Sequence, residues 1–415
     1  MATPKIHSCD IAIAGAGAPG LTLGLLLAGA GLDVVVIDPA PAAPPTNAAP
    51  AGRTVALMNS SLNILKAAGM TSPEPLGQPM RTMRILDASA PGGKMLEAAF
   101  NATEIGVGQF GFNIPNAALM SVLYGLAHKA KGLSIHQGVR FKSCRPNGRW
   151  MDVELENGPA LHCRLLVGAD GRNSAVREAS GIKASHHDYG QNAITFLIGH
   201  SRPHDFTSTE FHRPGGPLAF VPMPDAPDGS HRSSIVWVER TEKAEALLRL
   251  KKDELIQTLE AESNGILGKL SLESPPESWP LAALKSEALI APRTALVAEA
   301  AHVLSPITAQ GLNLSLRDVA ALAEEVTDAA RAGSDIGGTA ILDRYARRRR
   351  ADMQSRVRGV DGLMRLVSTE HPALRGLRRT GLAAVSNLPP LKALAMQHGL
   401  APTLDEGRLA AGQPL

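Results

Sequence analysis

The residues best placed to do chemistry come early. Gly15, Gly17 and Gly20 are spaced as Gly-x-Gly-x-x-Gly, with Ala18 and Pro19 inside the turn and Gly24 beyond it. Ile11-Ala12-Ile13-Ala14 reads as a short, fully buried parallel strand, and Leu21 to Ala30 as a helix stopped by Gly31. In such a turn Gly15 permits the tight bend, Gly17 lets the backbone approach a pyrophosphate, and Gly20 allows close helix–strand packing. The helix N-terminus then turns free N–H groups and partial positive charge towards phosphates. Asp38 closes the next strand, Asp33 to Asp38, about 20 residues on. A carboxylate there can accept hydrogen bonds from a ribose and disfavours a 2′-phosphate. The unit predicts a bound dinucleotide, FAD or NAD rather than NADP.

Two later segments carry similar potential. The apolar run Leu165 to Val167 leads into Gly168-Ala169-Asp170-Gly171, with Ser174 ahead of a polar helix start. Taken alone, Asp170-Gly171 is a good turn and Ser174 a good helix cap. Further on come Ala298-Glu299-Ala300-Ala301-His302, Pro306, Gln310-Gly311-Leu312-Asn313 and Arg317-Asp318. Glu299 follows a short buried strand at Ala295 to Val297. Gln310 to Asn313 open a long amphipathic helix, Leu312 to Ala332, whose N–H groups suit an anion. His302 invites a catalytic reading, although packing accounts for it better.

Together these segments resemble the class A flavin monooxygenases, the group that includes para-hydroxybenzoate hydroxylase. The resemblance is greatest to the ubiquinone-biosynthesis hydroxylase branch. It is carried there by Ala309 to Asp318, Asp343-Arg344-Tyr345 with Arg347 to Arg350, and the tail segments Gly362 to Val367, Arg379 to Leu382 and Leu388 to Lys392. Two positions depart from the family pattern: Ala298 where Gly is usual, and Glu299 where Asp is usual. The resemblance implies FAD as the resident cofactor, with NADPH or NADH as transient reductant and O2 as co-substrate. It sets Asp170 near the flavin pyrophosphate, Glu299 at the ribityl hydroxyls, and Pro306 beside the isoalloxazine. It sets Gln310, Gly311, Leu312 and Asn313 at the flavin N1–C2=O edge. In Gly52-Arg53-Thr54, Arg53 matches a cofactor-contacting arginine; its other reading is a rim arginine with no ligand. Asn116, after Phe112-Asn113-Ile114-Pro115, matches a residue near the ribityl chain; its other reading is a helix N-cap.

The implied activity is ring hydroxylation of a polyprenylated phenol. Two alternatives stay open: a monooxygenase of a soluble phenolic compound, and a non-catalytic FAD-fold partner in a biosynthetic complex. The extra methylene of Glu299 sustains the second. Holding the ring and excluding water need few acid–base groups, so no catalytic side chain is assigned.

These motifs require an α/β architecture. It comprises a Rossmann-like FAD-binding domain with a doubly wound parallel sheet, an inserted and mostly antiparallel substrate domain, and a C-terminal helical segment. The expected FAD-binding parts are residues 1–69, 106–182 and 286–342. The substrate domain takes 70–105 and 183–285, and the basic helical segment 343–415. Helices are expected at Ser60 to Ala68 and Ala117 to Ala130. Short strands are expected at Leu133 to Ile135 and Val139 to Phe141, and a hairpin around Glu156-Asn157-Gly158. The inserted sheet takes Ala193 to Ile198, Glu210 to His212, Leu218 to Val221 and Ser233 to Val238. Pro39 to Pro50, rich in Pro and Ala, reads as a surface loop.

Composition narrows the classes further. The 415 residues are 44% hydrophobic and 20% charged, so a sizeable core is available. Aromatics are only 3%, which argues against stacking platforms for single-stranded nucleic acid. From Arg331 onward there are 14 basic and 7 acidic residues, leaving −4 for the rest of a chain of net charge +3. That basic tail reads either as helix surface packed on the flavin domain or a second subunit, or as a peripheral contact with an anionic membrane. Cys9, Cys144 and Cys163 are widely spaced and suit a reduced, cytoplasmic protein. No secretory signal or membrane span is read, and no histidine spacing suggests a metal site. The partners that the resemblance implies are the aromatic substrate and O2, with a homo-oligomer or a biosynthetic complex as the protein-level association.

Overall fold

A computed structural model describes residues 6–41, 52–87, 95–304, 310–368 and 407–415, with single positions between 376 and 396; over 354–368 it describes backbone only. The chain begins β1 (Ile6–Ala14), α1 (Ala18–Gly29), β2 (Val34–Asp38), β3 (Thr54–Met58), α2 (Asn59–Ala67), β4 (Gln78–Met80), β5 (Thr82–Asp87) and β6 (Leu96–Asn101). It continues with β7 (Gly111–Pro115), α3 (Asn116–Ala127), β8 (Leu133–Gln137), β9 (Phe141–Asn147), β10 (Trp150–Leu155), β11 (Ala160–Gly168) and α4 (Ala175–Ala179). The middle holds β12 (Ala184–His200), β13 (Thr207–His212), β14 (Leu218–Met223), β15 (His231–Arg240), α5 (Thr241–Leu248), α6 (Lys252–Glu262), β16 (Leu270–Leu272) and β17 (Glu277–Ser286). The last part is β18 (Ile290–Ala291), β19 (Thr294–Leu296), β20 (His302–Val303), α7 (Gln310–Arg331) and α8 (Thr339–Ser368).

The first sheet runs β18-β19-β11-β1-β2-β8, with β10 and β9 continuing from β11. β19, β11, β1, β2 and β8 are mutually parallel. Its central strands are apolar without alternation: Val34, Val35, Val36 and Ile37 are all buried. Such runs mark a parallel strand covered on both faces. α1 packs against α3 and α7 within this core. Sequence order reverses at β1, which lies between β11 and β2, and open α/β sheets bind ligands beside such a switch point.

The second sheet runs β20-β17-β12-β15-β14-β13-β5-β6, with β16 on β12, and is antiparallel except for β13 beside β5. α5 and α6 cover one face, where Leu247, Leu255 and Leu259 meet Phe196, Phe220 and Trp237. A third sheet, β3-β7-β4, has its own ladder and packs against β14 of the second, where Asn113 Nδ2 donates to Pro222 O (3.1 Å). β20 links two regions of the fold: His302 and Val303 follow the Ala298–Ala301 turn yet pair with Lys285 and Leu284 of β17.

The α/β class, the long helix after Gln310 and the hairpin at Asn157 agree with the sequence expectations. Three details differ. The strand expected at Val139 to Phe141 begins at Phe141 and continues to Asn147, because its pairing with β10 runs from Phe141 opposite Leu155 to Asn147 opposite Trp150. Asn116 is the first residue of α3 rather than its cap; Pro115 flanks the helix. β12 is 17 residues long where six were expected, its exposed first half pairing with β17. The Pro- and Ala-rich stretch at 42–51 lies outside the described residues, as does Pro306.

Candidate cofactor site

Three chain segments meet at the C-terminal ends of β19, β11, β1 and β2. Backbone bonds lace them: Gly15 N donates to Ile37 O (2.8 Å), Ala169 N to Ala14 O (2.8 Å) and Val297 N to Gly168 O (3.0 Å). The Gly15–Gly20 turn, Asp38, Asp170-Gly171 and Ala298-Glu299 are thus neighbours, although 283 positions separate the first and last in sequence.

The glycines of the turn divide by what surrounds them. Gly15 has φ +108°, and a Cβ there would lie 2.3 Å from Ala169 O. A Cβ on Gly20 would lie 1.9 Å from Gly15 O. Both are required by the protein itself. At Gly17 the nearest atom to a Cβ would be Pro19 Cδ at 3.9 Å, and φ is −69°. Nothing in the protein demands glycine at that position. Gly17 also precedes α1 with no side-chain cap, so the N–H groups of the first turn face the same open space. This is a cradle shaped for an anionic group. Among the described residues, a Cβ on Gly311, at the start of α7, would also meet open space.

Asp38 shapes the turn as well as facing it. Its Oδ2 accepts from Ala16 N (2.6 Å) and its Oδ1 from Ala40 N (2.8 Å). Each carboxylate oxygen keeps a further lone pair for a hydroxyl donor. Asp170 accepts from Ser174 Oγ and from Val176 N (3.1 Å), and Ser174 Oγ accepts from Arg177 N (2.9 Å), which fixes the start of α4. Arg177, buried, ties two motifs together. Its Nη1 donates to Ala300 O (2.9 Å) and its Nη2 to Arg172 O (3.0 Å). Glu299 is half-exposed, its carboxylate 3.7 Å from Arg172 Nε. Ala298 has φ +57°. Glycine is favoured in that left-handed region because a Cβ crowds the carbonyl, so the alanine here is held by its surroundings.

The hold comes from a buried charged cluster. Asp318 of α7 accepts from Ala298 N (3.0 Å), His302 Nε2 (2.6 Å) and Arg349 Nε (2.8 Å). Arg349 of α8 also donates to Asp352 (2.8 Å), which pairs with Arg317 (3.2 Å). Every side chain in these pairs is at most 4% exposed. Burial alone would raise the Asp318 carboxyl, but His302 and Arg349 beside it outweigh that and hold it below the usual carboxylate range. Sequence reasoning places His302 in packing but does not connect it to Asp318, Arg349 or Asp352. The one available signal is the acids at 318 and 352 set near arginines on helical faces.

The other expected site residues are placed as follows. Asn313 is buried, its Oδ1 accepting from Met58 N (2.9 Å) and Ser61 Oγ (2.7 Å), its Nδ2 donating to Ala56 O (2.8 Å). Its side chain therefore fastens β3 and α2 to α7. Gln310 is buried, and Gly311 and Leu312 half-buried, in the first turn of α7. Arg53 is exposed, its guanidinium 4.9 Å from the Trp279 ring centroid, a cation–π contact to the second sheet. Asn116 N donates to Arg53 O (3.1 Å), so these two lie side by side. Ala18 and Pro19 occupy the first turn of α1.

The arginine run is less available than its sequence suggests. Consecutive helical residues point about 100° apart. Accordingly Arg348 pairs with Glu324 and Glu325, Arg349 with Asp318 and Asp352, and Arg347 and Arg350 are exposed. Arg344 pairs with Glu325, Arg408 with Asp328 and Lys392 with Glu104. No helix among the described residues is long and apolar enough to cross a membrane.

Known proteins resemble this arrangement closely. The ubiquinone hydroxylase UbiL of Rhodospirillum rubrum is 34% identical over 413 residues, covering 98% of this chain and 93% of that protein. The 3-demethoxyubiquinol 3-hydroxylase of Escherichia coli is 28% identical, covering 94% and 98%. Among solved structures, PqsL of Pseudomonas aeruginosa, described as a probable FAD-dependent monooxygenase, superposes with a TM-score of 0.74 at 21% identity, covering 91% of this chain and 100% of that one. HpxO of Klebsiella pneumoniae, solved with FAD and uric acid, gives 0.74 at 18% identity, covering 95% and 97%. Residues 8–360 match the family described as FAD binding domain. The chain belongs to that FAD-binding family, the class A flavin monooxygenases, which are flavin-dependent aromatic hydroxylases.

Proposed function

We propose that this protein hydroxylates the ring of a polyprenylated phenol during ubiquinone biosynthesis, with NADPH or NADH as reductant and O2 as oxygen donor. The observation that carries the reading is the near full-length similarity to UbiL, a ubiquinone hydroxylase, joined to an open cradle at Gly17. When bound, FAD supplies the redox chemistry linking reductant, O2 and ring. The chain's own residues bind and orient. The α1 N-terminus at Gly17, Ala18, Pro19 and Gly20 neutralises pyrophosphate charge. Asp38 accepts from the adenosine ribose. Asp170 fixes the loop beside the pyrophosphate, and Glu299 accepts from ribityl hydroxyls. Gln310, Gly311, Leu312 and the Asn313 backbone stabilise negative charge at the N1–C2=O edge; Pro306, which the resemblance assigns to the ring, lies outside the described residues. Arg53 and Asn116 close the rim. Residues 1–69, 106–182 and 286–342 form the cofactor domain of this reading, and 70–105 with 183–285 the substrate domain, which excludes water from the ring.

The reading includes a cytoplasmic location with peripheral membrane contact, through Arg347, Arg350 and the cations beyond them. Arg349 is buried in its ion pairs, and Arg348 and the half-exposed Arg344 are paired with Glu324 and Glu325. The deciding experiment is quinone-intermediate profiling in a cell lacking this protein. An accumulated, under-hydroxylated polyprenyl phenol is the expected result; an unchanged quinone pool refutes the pathway. Retention on anionic liposomes, lost on Arg347→Gln with Arg350→Gln, tests the membrane contact.

A further inference from the structure

The second sheet carries a cavity on its far side. One cross-strand row runs Arg84, Thr209, Phe220, Ile235, Phe196 through β5, β13, β14, β15 and β12. Directly opposed residues share a face, and this is the face that α5 and α6 cover. Ser234, next to Ile235 and so on the other face, donates to Gly52 O (3.1 Å) and accepts from Thr54 Oγ1 (3.1 Å). The row therefore looks away from the segment that carries Arg53.

At the Arg84 end of the row lies a cavity of about 340 Å³. Its polar wall is Arg84, Arg202, His204, Asp205, Thr207 and Thr209; its apolar wall is Pro203, Phe220, Ile266 and Leu267. Arg84 donates Nε and Nη2 to Thr209 Oγ1 (3.2 and 3.0 Å), and Arg202 Nη1 reaches Gly265 O at 3.4 Å. Neither guanidinium has an ion pair among the described residues, unlike Arg213, Arg232 and Arg293. Two unpaired arginines with one aspartate leave the wall net positive.

The loop forming this wall is also strained. Asp205 and Phe206 are consecutive non-glycine residues with φ +49° and +56°. Phe206 N donates to His204 Nδ1 (3.1 Å), Phe206 O accepts from Arg81 N (2.9 Å), and the Arg81 guanidinium sits 4.2 Å over the Phe206 ring. His204 Nε2 donates to Met223 O (3.1 Å), so the imidazole is neutral and its orientation fixed. Strain that the surroundings over-determine in this way gathers at ligand clamps.

We propose that this cavity is an accessory binding site for a small organic anion, its charged group held by Arg84 and Arg202 and its apolar body laid against Phe220, Ile266 and Leu267. The volume falls in the lower range of small-molecule sites, and its lining is more polar than apolar, which suits a small charged ligand with a short apolar body. Guanidinium forks suit a carboxylate or phosphate group. The proposal is independent of the ring-hydroxylation reading, since it uses the opposite face of the sheet.

The test titrates the FAD-loaded full chain by calorimetry with hexanoate, inorganic phosphate and 1-hexanol, following the flavin absorbance in parallel. Hexanoate should bind once per chain without shifting the flavin spectrum. Phosphate, lacking the apolar body, and 1-hexanol, lacking the charge, should each bind about tenfold more weakly or worse. Arg84→Met and Arg202→Met should each weaken hexanoate on the order of tenfold to a hundredfold, with flavin content unchanged. Arg202 is exposed, so its variant remains decisive even where loss of the Arg84–Thr209 bonds prevents folding. Absence of hexanoate binding, equal binding in Arg202→Met, phosphate matching hexanoate, or a flavin shift in step with binding would each overturn the proposal.

Discussion

Replacing each glycine of the first turn by alanine should separate residues that serve the fold from the one that serves the ligand. A Cβ at Gly15 would meet Ala169 O at 2.3 Å with φ at +108°, and one at Gly20 would meet Gly15 O at 1.9 Å. Overpacking costs about 1–3 kcal/mol and left-handed strain about 1–2 kcal/mol. At Gly17 the backbone suits alanine, the nearest atom is 3.9 Å away, and the roughly 0.5–1 kcal/mol lost at the helix cap is offset by about 0.4–1 kcal/mol from a less flexible unfolded chain. Unfolding entropy of ~2.1 cal/mol/K per residue over 415 residues makes about 1 kcal/mol equal to roughly 1 °C. The flavin-free Gly15→Ala protein should therefore melt roughly 2–6 °C low, Gly20→Ala, with overpacking alone, roughly 1–3 °C low, and Gly17→Ala within about 1 °C of the parent. Adding FAD at a hundred times its Kd contributes about 2.7 kcal/mol, a rise of about 3 °C, to the parent. Gly17→Ala should show none of that rise, because its methyl occupies the cradle. Differential scanning calorimetry with and without FAD, with flavin-fluorescence titration, reads both quantities. A Gly17→Ala protein that keeps the full FAD-dependent rise would refute the reasoning, as would one destabilised as much as Gly15→Ala before FAD is added.

Asp318→Asn should lower stability by about 3–5 kcal/mol, because it strands the buried Arg349 charge. Melting should fall roughly 3–6 °C, while Glu245→Gln, in an exposed pair with Arg249, should change it by less than about 1 °C. Glu299→Gln removes a half-exposed carboxylate with only a loose partner; titration should show FAD bound about tenfold more weakly, with the flavin-free melting point unchanged. Burial, together with neighbouring histidines, lowers the pKa of His200 and His204. The unfolded chain therefore binds protons first, so their contribution is complete above pH ~6.5 and is lost as pH falls below it, by up to about 1.4 kcal/mol per pH unit for each imidazole. Melting points between pH 7.5 and 5.5 should fall less steeply in His204→Gln than in the parent.

The first turn is readable because its rules are local. An unbroken apolar strand, a glycine spacing and a closing carboxylate fall within residues 11–38, and each acts on its near neighbours. The charged cluster is not readable for the opposite reason. Arg347 to Arg350 look alike in sequence, yet helical rotation sends Arg349 into the core and Arg350 to solvent. Only the packing of α8 on α7 decides which is which. Asn313 illustrates a subtler gap. Its place in a cofactor motif suggests a ligand contact, whereas its amide is spent on Met58, Ser61 and Ala56, some 250 residues earlier in the chain. The β3-β7-β4 sheet and the pairing of β20 with β17 likewise depend on long-range register that no local pattern encodes.

That last pairing bears on how such proteins can be recombined. The two-residue strand after the Ala298 turn is an outer member of the second sheet, bonded to Leu284 and Lys285. A chimera that imports a relative's residues 183–285 and keeps the host's 298–303 would join β17 and β20 that did not arise together. A register offset of a single residue there, ~3.3 Å, would displace the cofactor turn by as much. Transplanting substrate preference between relatives should therefore carry the turn and its strand along with the sheet, making the exchangeable block extend at least through Val303.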